Sequence, residues 1–263
     1  MNEQRTQEPD YGNWVSTKLI YVSVAMAVFL LCLSSILLLF GLALVFLVFV
    51  AGAVLSIVTS FYFAFARYKF SSRGGNVQAQ IEQLVSDRLD WNGQGQVLDI
   101  GCGNAPLTIM IAKKYPNAHV TGIDFWGRTW EYSKTVCERN AEIEGVADRV
   151  KFQKASAAAL PFEDGHFDVA VSNLVFHEVK DAKDKREVIR EALRVTKKEG
   201  RFVFQDLFSV KRTYGEVDDL LKTIQSWGIE RVEFEDTSHS KFIPKALRLP
   251  FMIGTIGIIY GEK

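Results

Sequence analysis

Four clusters of small and polar residues follow apolar runs between residues 95 and 180 of this 263-residue chain, and each has the makings of a ligand-binding turn. The first is Asp99-Ile100-Gly101-Cys102-Gly103-Asn104-Ala105-Pro106, at the end of the run QVLDI. Glycines let a backbone turn tightly and approach a ligand with no Cβ in the way. The second is Asp124, which ends AHVTGID and lies 23 residues beyond Gly101. A carboxylate at that place can accept hydrogen bonds from both hydroxyls of a ribose. Its plainer role is to cap the next helix. In the third, Ser156 and Ala157 follow RVKFQKA and leave room for a purine edge beside backbone N–H groups. In the fourth, Ser172 and Asn173 close FDVAV and lead into LVFHEV, with His177 and Glu178. An imidazole there can exchange a proton near neutral pH, or simply pack or cap. Asp206, at the end of GRFVFQD, is a further acid of this kind. Arg128 and Trp130 stand just past Asp124 and can equally start a helix, and His239 in DTSHSKF reads as solvated.

The glycine pattern also excludes. The dinucleotide fingerprint needs glycine at position 106, where Pro106 stands, which argues against a nicotinamide-dependent reductase. Cys32, Cys102 and Cys137 form no metal-ligand pair and read as reduced thiols. No metal site is expected.

Elements must place these turns. NVQAQIEQLVSDRLDW carries Val77, Ile81, Leu84, Val85 and Leu89 on one helical face. PLTIMIAKKY and RTWEYSKTVCERNAEIEG are helices, the second closed by Gly145, and DKREVIREALRVTKKEG is a long amphipathic helix. GEVDDLLKTIQSWG is a further helix, IERVEFED a strand and MIGTIGIIYG a last strand. Strands alternate with these helices, which predicts an α/β fold: a doubly wound, mostly parallel sheet covered on both faces. Ligands bind such sheets beyond the carboxyl ends of the strands.

VLDIGCG, GID, LPFEDGHFD and LRVTKKEGRF, in this order, resemble the class I S-adenosylmethionine-dependent methyltransferases, especially the small-molecule group. The resemblance covers about residues 77–263. It implies a Rossmann-like sheet of seven strands with the last antiparallel. It implies S-adenosyl-L-methionine as cofactor, with Asp99, Gly101 and Gly103 at its methionine part and Asp124 on its ribose. Phe125 or Trp126 would lie beside the adenine, Ser156 and Ala157 at its edge, and Asn173 near the sulfonium. His177 and Glu178 are then the candidate catalytic pair. Two positions depart from the family pattern. Ala105 replaces the third glycine of G-x-G-x-G, a change a negative φ would accommodate. Ser156 replaces an aspartate, which leaves a hydrogen bond without charge and weaker cofactor binding.

Residues 19–66 contain no Asp, Glu, Lys or Arg, a run of 48. One bilayer crossing takes about 20 apolar residues, so the run suits two. Gly41 is the expected turn, with Ser34-Ser35 as second candidate, giving a hairpin of roughly 19–39 and 43–65. Lys18, Arg67, Lys69 and Arg73 flank it and argue for cytoplasmic ends. Tyr11, Trp14, Tyr21, Tyr62 and Tyr68 suit an interfacial belt. The expected map is a cytoplasmic segment at 1–18, a transmembrane hairpin at 19–66, a flexible SSRGGN linker within 67–76 and the methyltransferase domain at 77–263. That is a multi-pass cell-membrane protein with both termini cytoplasmic. Such a tether favours a small, hydrophobic acceptor, lipid- or quinone-like. KFIPKALRLPFM mixes bases with apolar residues and can lie on an anionic membrane surface, or pack on the sheet. Beyond the run, Lys+Arg number 29 and Asp+Glu 28, so nucleic acid is not expected as a partner. The remaining alternative is a non-catalytic, membrane-tethered cofactor-binding module.

Overall fold

The computed structural model describes residues 8–127 and 132–263. Contacts divide the chain into two units, one of Asn13–Gln78 and one joining Met1–Gly12 to Ala79–Lys263.

The first unit is a hairpin of α1 (Thr17–Leu39) and α2 (Ala43–Phe70). Ser16 caps α1 by accepting from Lys18 N. The turn is at Phe40-Gly41, where Gly41 takes φ +74°. Ser34 and Ser35 do not break α1, because their hydroxyls donate to the Leu31 carbonyl instead. The second helix runs five residues past the expected Phe65, to Phe70. Small side chains (Ala27, Ser34, Ala53, Ser60) are buried between the helices, and Ser60 Oγ donates to Ser23 Oγ at 2.8 Å. Close approach through small residues is how helices pack where lipid removes the hydrophobic drive. At the open end Trp14 meets Phe70 at 5.3 Å between ring centres, and Arg67 Nη1 donates to Val15 O at 2.5 Å. Both helices are long and apolar enough to cross a bilayer, and most of their surface faces outward. Residues 71–76 are an ordered turn rather than a flexible link, with Gly74 N and Asn76 N both donating to Ser71 O.

The second unit is built on a seven-stranded sheet. Its strands are β1 (Gly95–Ile100), β2 (Ala118–Asp124), β3 (Val150–Lys154), β4 (Phe167–Asn173), β5 (Thr196–Asp206), β6 (Arg231–Asp236) and β7 (Gly257–Glu262). The spatial order is β3-β2-β1-β4-β5-β7-β6, and only β7 runs antiparallel to its neighbours. The helices are α3 (Val77–Arg88), α4 (Pro106–Lys114), α5 (Lys134–Ile143), α6 (Lys185–Val195), α7 (Lys211–Tyr214) and α8 (Val217–Ser226). Successive strand residues point to opposite faces. Leu98, Ile100, Phe202 and Phe204 pack on one side with Val188 and Ile189 of α6 and Leu220 and Ile224 of α8. Val97, Val169, Val171 and Val203 pack on the other with Leu107 and Ile111 of α4 and Cys137 of α5. This is the doubly wound architecture that the alternating pattern predicts.

In this unit too, boundaries differ from expectation. The helix of DKREVIREALRVTKKEG stops at Val195, and TKKEG forms the bulged start of β5, with Glu199 at φ +62°. Thr196 pairs with Phe167, and its β-branched side chain suits a strand. The last strand begins at Gly257, which leaves MIGTI in the preceding loop. The order reverses between β1 and β4, so their carboxyl ends open the crevice where such folds bind ligands.

Candidate active site

The turn after β1 is shaped by left-handed backbone. Gly101 has φ +75° and Gly103 +57°, and the N–H groups of Gly101 and Cys102 both donate to Ile123 O, at 2.7 and 2.9 Å. Ala105 is left-handed too, at φ +69°, not at the negative φ expected of it. That conformation costs an alanine about 1 kcal/mol. Its methyl group is fully buried in the core, which returns a comparable amount, so the third glycine is dispensable here. Pro106 opens α4, where no N–H is needed.

Asp99 is buried beneath the turn and accepts from Thr108 Oγ1 at 2.5 Å. It braces α4 from inside. Burial pushes its pKa from 3.8 up to about 7, against the lowering effect of the Thr108 hydrogen bond. An acid that keeps its proton longer when folded loses stability as pH rises from about 4 to about 7. Asp99→Asn is expected to flatten that slope in thermal melts across this range, and a variant with the wild-type slope would contradict the assignment.

Asp124, at the end of β2, accepts from Gly103 N at 3.0 Å through Oδ2 and from Trp126 N at 2.7 Å through Oδ1. Burial raises its pKa, while the backbone donors from Trp126, Gly103 and Phe125 oppose the rise. An ionised carboxylate has about four acceptor sites, so capacity remains for two ribose hydroxyls. The residues therefore fit the nucleoside part of S-adenosylmethionine. Trp126 turns back, with φ +43° and its indole N–H donating to Gly103 O at 3.0 Å. Phe125 faces outward, with Lys154 Nζ 5.2 Å from its ring centre.

Ala157 is buried, but Ser156 is already engaged: its Oγ donates to Asp181 Oδ2 at 3.0 Å and accepts from Ala158 N. Asp181 thus sets a carboxylate beside Ser156, at the place where the family pattern has an aspartate. It follows the fourth turn by several residues and carried no sequence signal.

The N-terminal segment belongs to this site as well. Asp10 O accepts from Asn104 Nδ2 at 3.1 Å and Asn140 Nδ2 at 2.9 Å, and Asp10 N donates to Asn140 Oδ1. Tyr11 Oη donates to Glu144. Tyr132 lies against both Gly12 and Gly103: a Cβ on either would be 2.9 or 3.5 Å from its ring. A signal for this strap did exist, since Asn140 is a polar residue on the buried face of α5.

At the end of β4, Asn173 Oδ1 accepts from Gln205 Nε2, and Leu174 is strained at φ +57°. Then comes a short 3₁₀ turn, Phe176–Glu178. His177 Nδ1 lies 2.6 Å from Asp206 Oδ1, at the end of β5. Asp206 is wholly buried and also accepts from Phe176 N and Leu207 N. Burial pulls the His177 pKa down, but Asp206, by charge and hydrogen bond, and Glu178 outweigh it, so the net shift is upward. Glu178 Oε1 stands 3.8 Å from His177 Nε2. The structure thus gives His177 a fixed partner in Asp206, where the sequence alone favoured its neighbour. His239 is largely exposed, and Arg128 and Trp130 lie outside the described residues.

Residues 92–243 match the family described as Methyltransferase domain. An O-methyltransferase of Aspergillus nomiae is 27% identical over 186 residues, covering 62% of this chain and 78% of that protein. A ubiquinone/menaquinone biosynthesis C-methyltransferase of Desulfotalea psychrophila is 32% identical over 114 residues, covering 43% of this chain and 42% of the relative. Most curated relatives are matched over less than half of their own length. Among solved structures, geranyl diphosphate C-methyltransferase of Streptomyces coelicolor shares the fold, with a TM-score of 0.55 at 13% identity, over 73% of this chain and 81% of that one. A glycine turn, a strand-end acid beside it and a seven-stranded sheet with β7 reversed agree with these matches: the chain belongs to the methyltransferase domain family and has the class I methyltransferase fold.

Proposed function

We propose that this enzyme is anchored in a membrane by its N-terminal hairpin and methylates a hydrophobic acceptor that gives up a proton. The His177–Asp206 pair carries the reading of the chemistry. Asp206 holds Nδ1, which fixes the ring and leaves Nε2 to receive the acceptor's proton. S-adenosylmethionine, when bound, supplies an electrophilic methyl group on sulfur. That methyl group would pass to the acceptor's electron pair, the sulfur keeping the pair of the broken bond. Gly101, Gly103 and Asp124 hold the donor side, Ala157 and Asp181 the adenine edge, and Asn173 the region near the methyl group. Asp99 and Ser156 position this shell from behind. Phe125 flanks the adenine.

The membrane reading is supported by α1 and α2, whose outward surfaces are apolar along their length. Lys18, Arg67, Lys69 and Arg73 at the ends of the hairpin support a cytoplasmic position for both termini and for the catalytic residues 77–263. The resemblance to a ubiquinone/menaquinone methyltransferase supports a quinone- or lipid-like acceptor.

Asp124→Ala should weaken S-adenosylmethionine binding about 10²-fold by calorimetry, since two hydrogen bonds to a charged acceptor are lost. Unchanged affinity would remove Asp124 from the site. Incubating the enzyme with a labelled methyl donor and membrane extract should place label in the lipid-soluble fraction. Label confined to water-soluble products contradicts the acceptor class.

A further inference from the structure

Outside the apolar hairpin (its helices and the turn between them), three large hydrophobic side chains are exposed among the described residues: Phe125, Leu249 and Phe251. Phe125 belongs to the cofactor site. The other two share the loop between β6 and β7, in KFIPKALRLPFM.

This loop is a built structure. Ile243, Leu247, Ile253 and Ile256 are buried and root it in the domain. The Arg248 guanidinium donates to Ser240 O at 3.2 Å and to Ile243 O at 2.9 Å. Met252 N and Gly254 N both donate to Leu249 O, at 2.9 and 3.1 Å, which closes a tight turn. A Cβ on Gly254 would lie 2.1 Å from Arg248 O, so the turn is close-packed. What it presents at its tip is Leu249-Pro250-Phe251, with Phe251 68% exposed. Four buried isoleucine and leucine side chains and a stapling arginine therefore root a turn at which Phe251 is largely exposed.

The charge carried by this loop is of one sign. From Ser240 to Gly261 there are three cations, Lys241, Lys245 and Arg248, and no acid. Lys241 and Lys245 are exposed. The rest of the domain is close to neutral, so the asymmetry is local. An apolar tip on a loop whose only charges are basic suits an anionic lipid surface: the apolar side chains enter the headgroup boundary, and the ammonium groups stay among the phosphates. The basic character disfavours a wholly apolar partner surface.

We propose that the β6–β7 loop is a second membrane contact, in which Leu249 and Phe251 enter the interface of an anionic bilayer and Lys241 and Lys245 bind its phosphates. The inference rests on the anchored reading above and goes beyond it, because the hairpin alone would leave the domain's orientation undefined. A loop held at the bilayer sets which side of the catalytic domain meets a lipid-borne acceptor.

The test uses the full chain in vesicles, with Cys32→Ser and a polarity-sensitive dye on a cysteine placed by Phe251→Cys. Cys102 and Cys137 are buried and stay unlabelled. A second preparation carries the dye at Lys222, an exposed position on α8. In vesicles of phosphatidylcholine with phosphatidylglycerol, the dye at 251 is expected to shift to the blue and to be quenched by spin-labelled lipid. The dye at 222 should do neither. Lys241→Glu with Lys245→Glu should reduce the quenching at 251 several-fold, and phosphatidylcholine alone should reduce it likewise. A dye at 251 that stays aqueous, in a chain that floats with the vesicles, overturns the loop contact and leaves the anchor standing. A blue shift without lipid quenching means a protein partner and overturns it too. A chain that does not float overturns the anchor, and this inference with it.

Discussion

Replacing Asp206 by asparagine is expected to lower the methyl-transfer rate by about 10²–10³-fold, the usual range for disabling a positioned base. It should also move the pH profile, and the direction follows from the pair. His177 works as a base only when neutral, so activity falls as pH drops through its pKa. Burial lowers that pKa, yet the Asp206 carboxylate and Glu178 raise it above the ordinary 6.5. With Asp206 gone, burial is left as the main influence, and the acid limb should shift to lower pH. His177→Gln should remove the limb altogether at a similar loss of rate. A purely structural role for Asp206 would change expression or melting while leaving the limb in place. The linkage has a second reading in stability. A histidine whose folded pKa is raised contributes stability that is fully present below pH 6.5 and is lost as pH rises through the folded value. The wild type should therefore lose more of its stability than Asp206→Asn does on going from mildly acidic to mildly basic buffer. A rate within a few-fold of wild type for both variants would mean that the acceptor loses its proton without help.

Gly101→Ala is expected to be strongly destabilising. Gly101 sits at φ +75°, and an added Cβ would lie 2.1 Å from Val175 Cγ2 and 2.6 Å from Cγ1. The left-handed backbone costs about 1 kcal/mol and the overpacking about 1–3 more. Together these should lower the melting temperature by roughly 5–15 °C, at about 2–4 °C per kcal/mol for a domain of this size. Cofactor binding should weaken as well, because Gly101 N and Cys102 N share one acceptor, Ile123 O, and the turn cannot move without losing both bonds. The double variant with Val175→Ala tests the account. It removes the clash and retains the backbone cost, so it should recover the larger part of the loss relative to each single change. If Val175→Ala and Gly101→Ala merely add, the clash is not the cause.

The contrast with Ala105 shows how far a motif can be trusted. Both positions are left-handed glycine places in the family pattern. At 101 a methyl group would meet a valine side chain, whereas at 105 it fills a core site. Sequence spacing identifies the turn but does not show what stands opposite each Cβ. That information lies in Val175, more than 70 residues downstream.

The local rules settled much of this protein in advance. Alternating apolar strands and amphipathic helices, with glycine turns between them, specify a doubly wound sheet, because the strands have two faces to bury and each helix one to cover them with. The glycine turn, the strand-end Asp124 and the uncharged run of 48 residues are contiguous patterns, and backbone sterics or length gives each of them its meaning. What needed the folded chain were pairings across long separations. Asp206 reaches His177 over 29 residues, Asp181 reaches Ser156 over 25, and Asp10 reaches Asn140 over 130. No periodicity encodes these contacts. They exist because the sheet order sets β4 beside β5, and because the N-terminal segment returns to the turn after β1. Asp99 makes the same point: the sequence places an acid at the cofactor turn, and only the tertiary structure directs its carboxyl group inward to Thr108, where burial holds its proton.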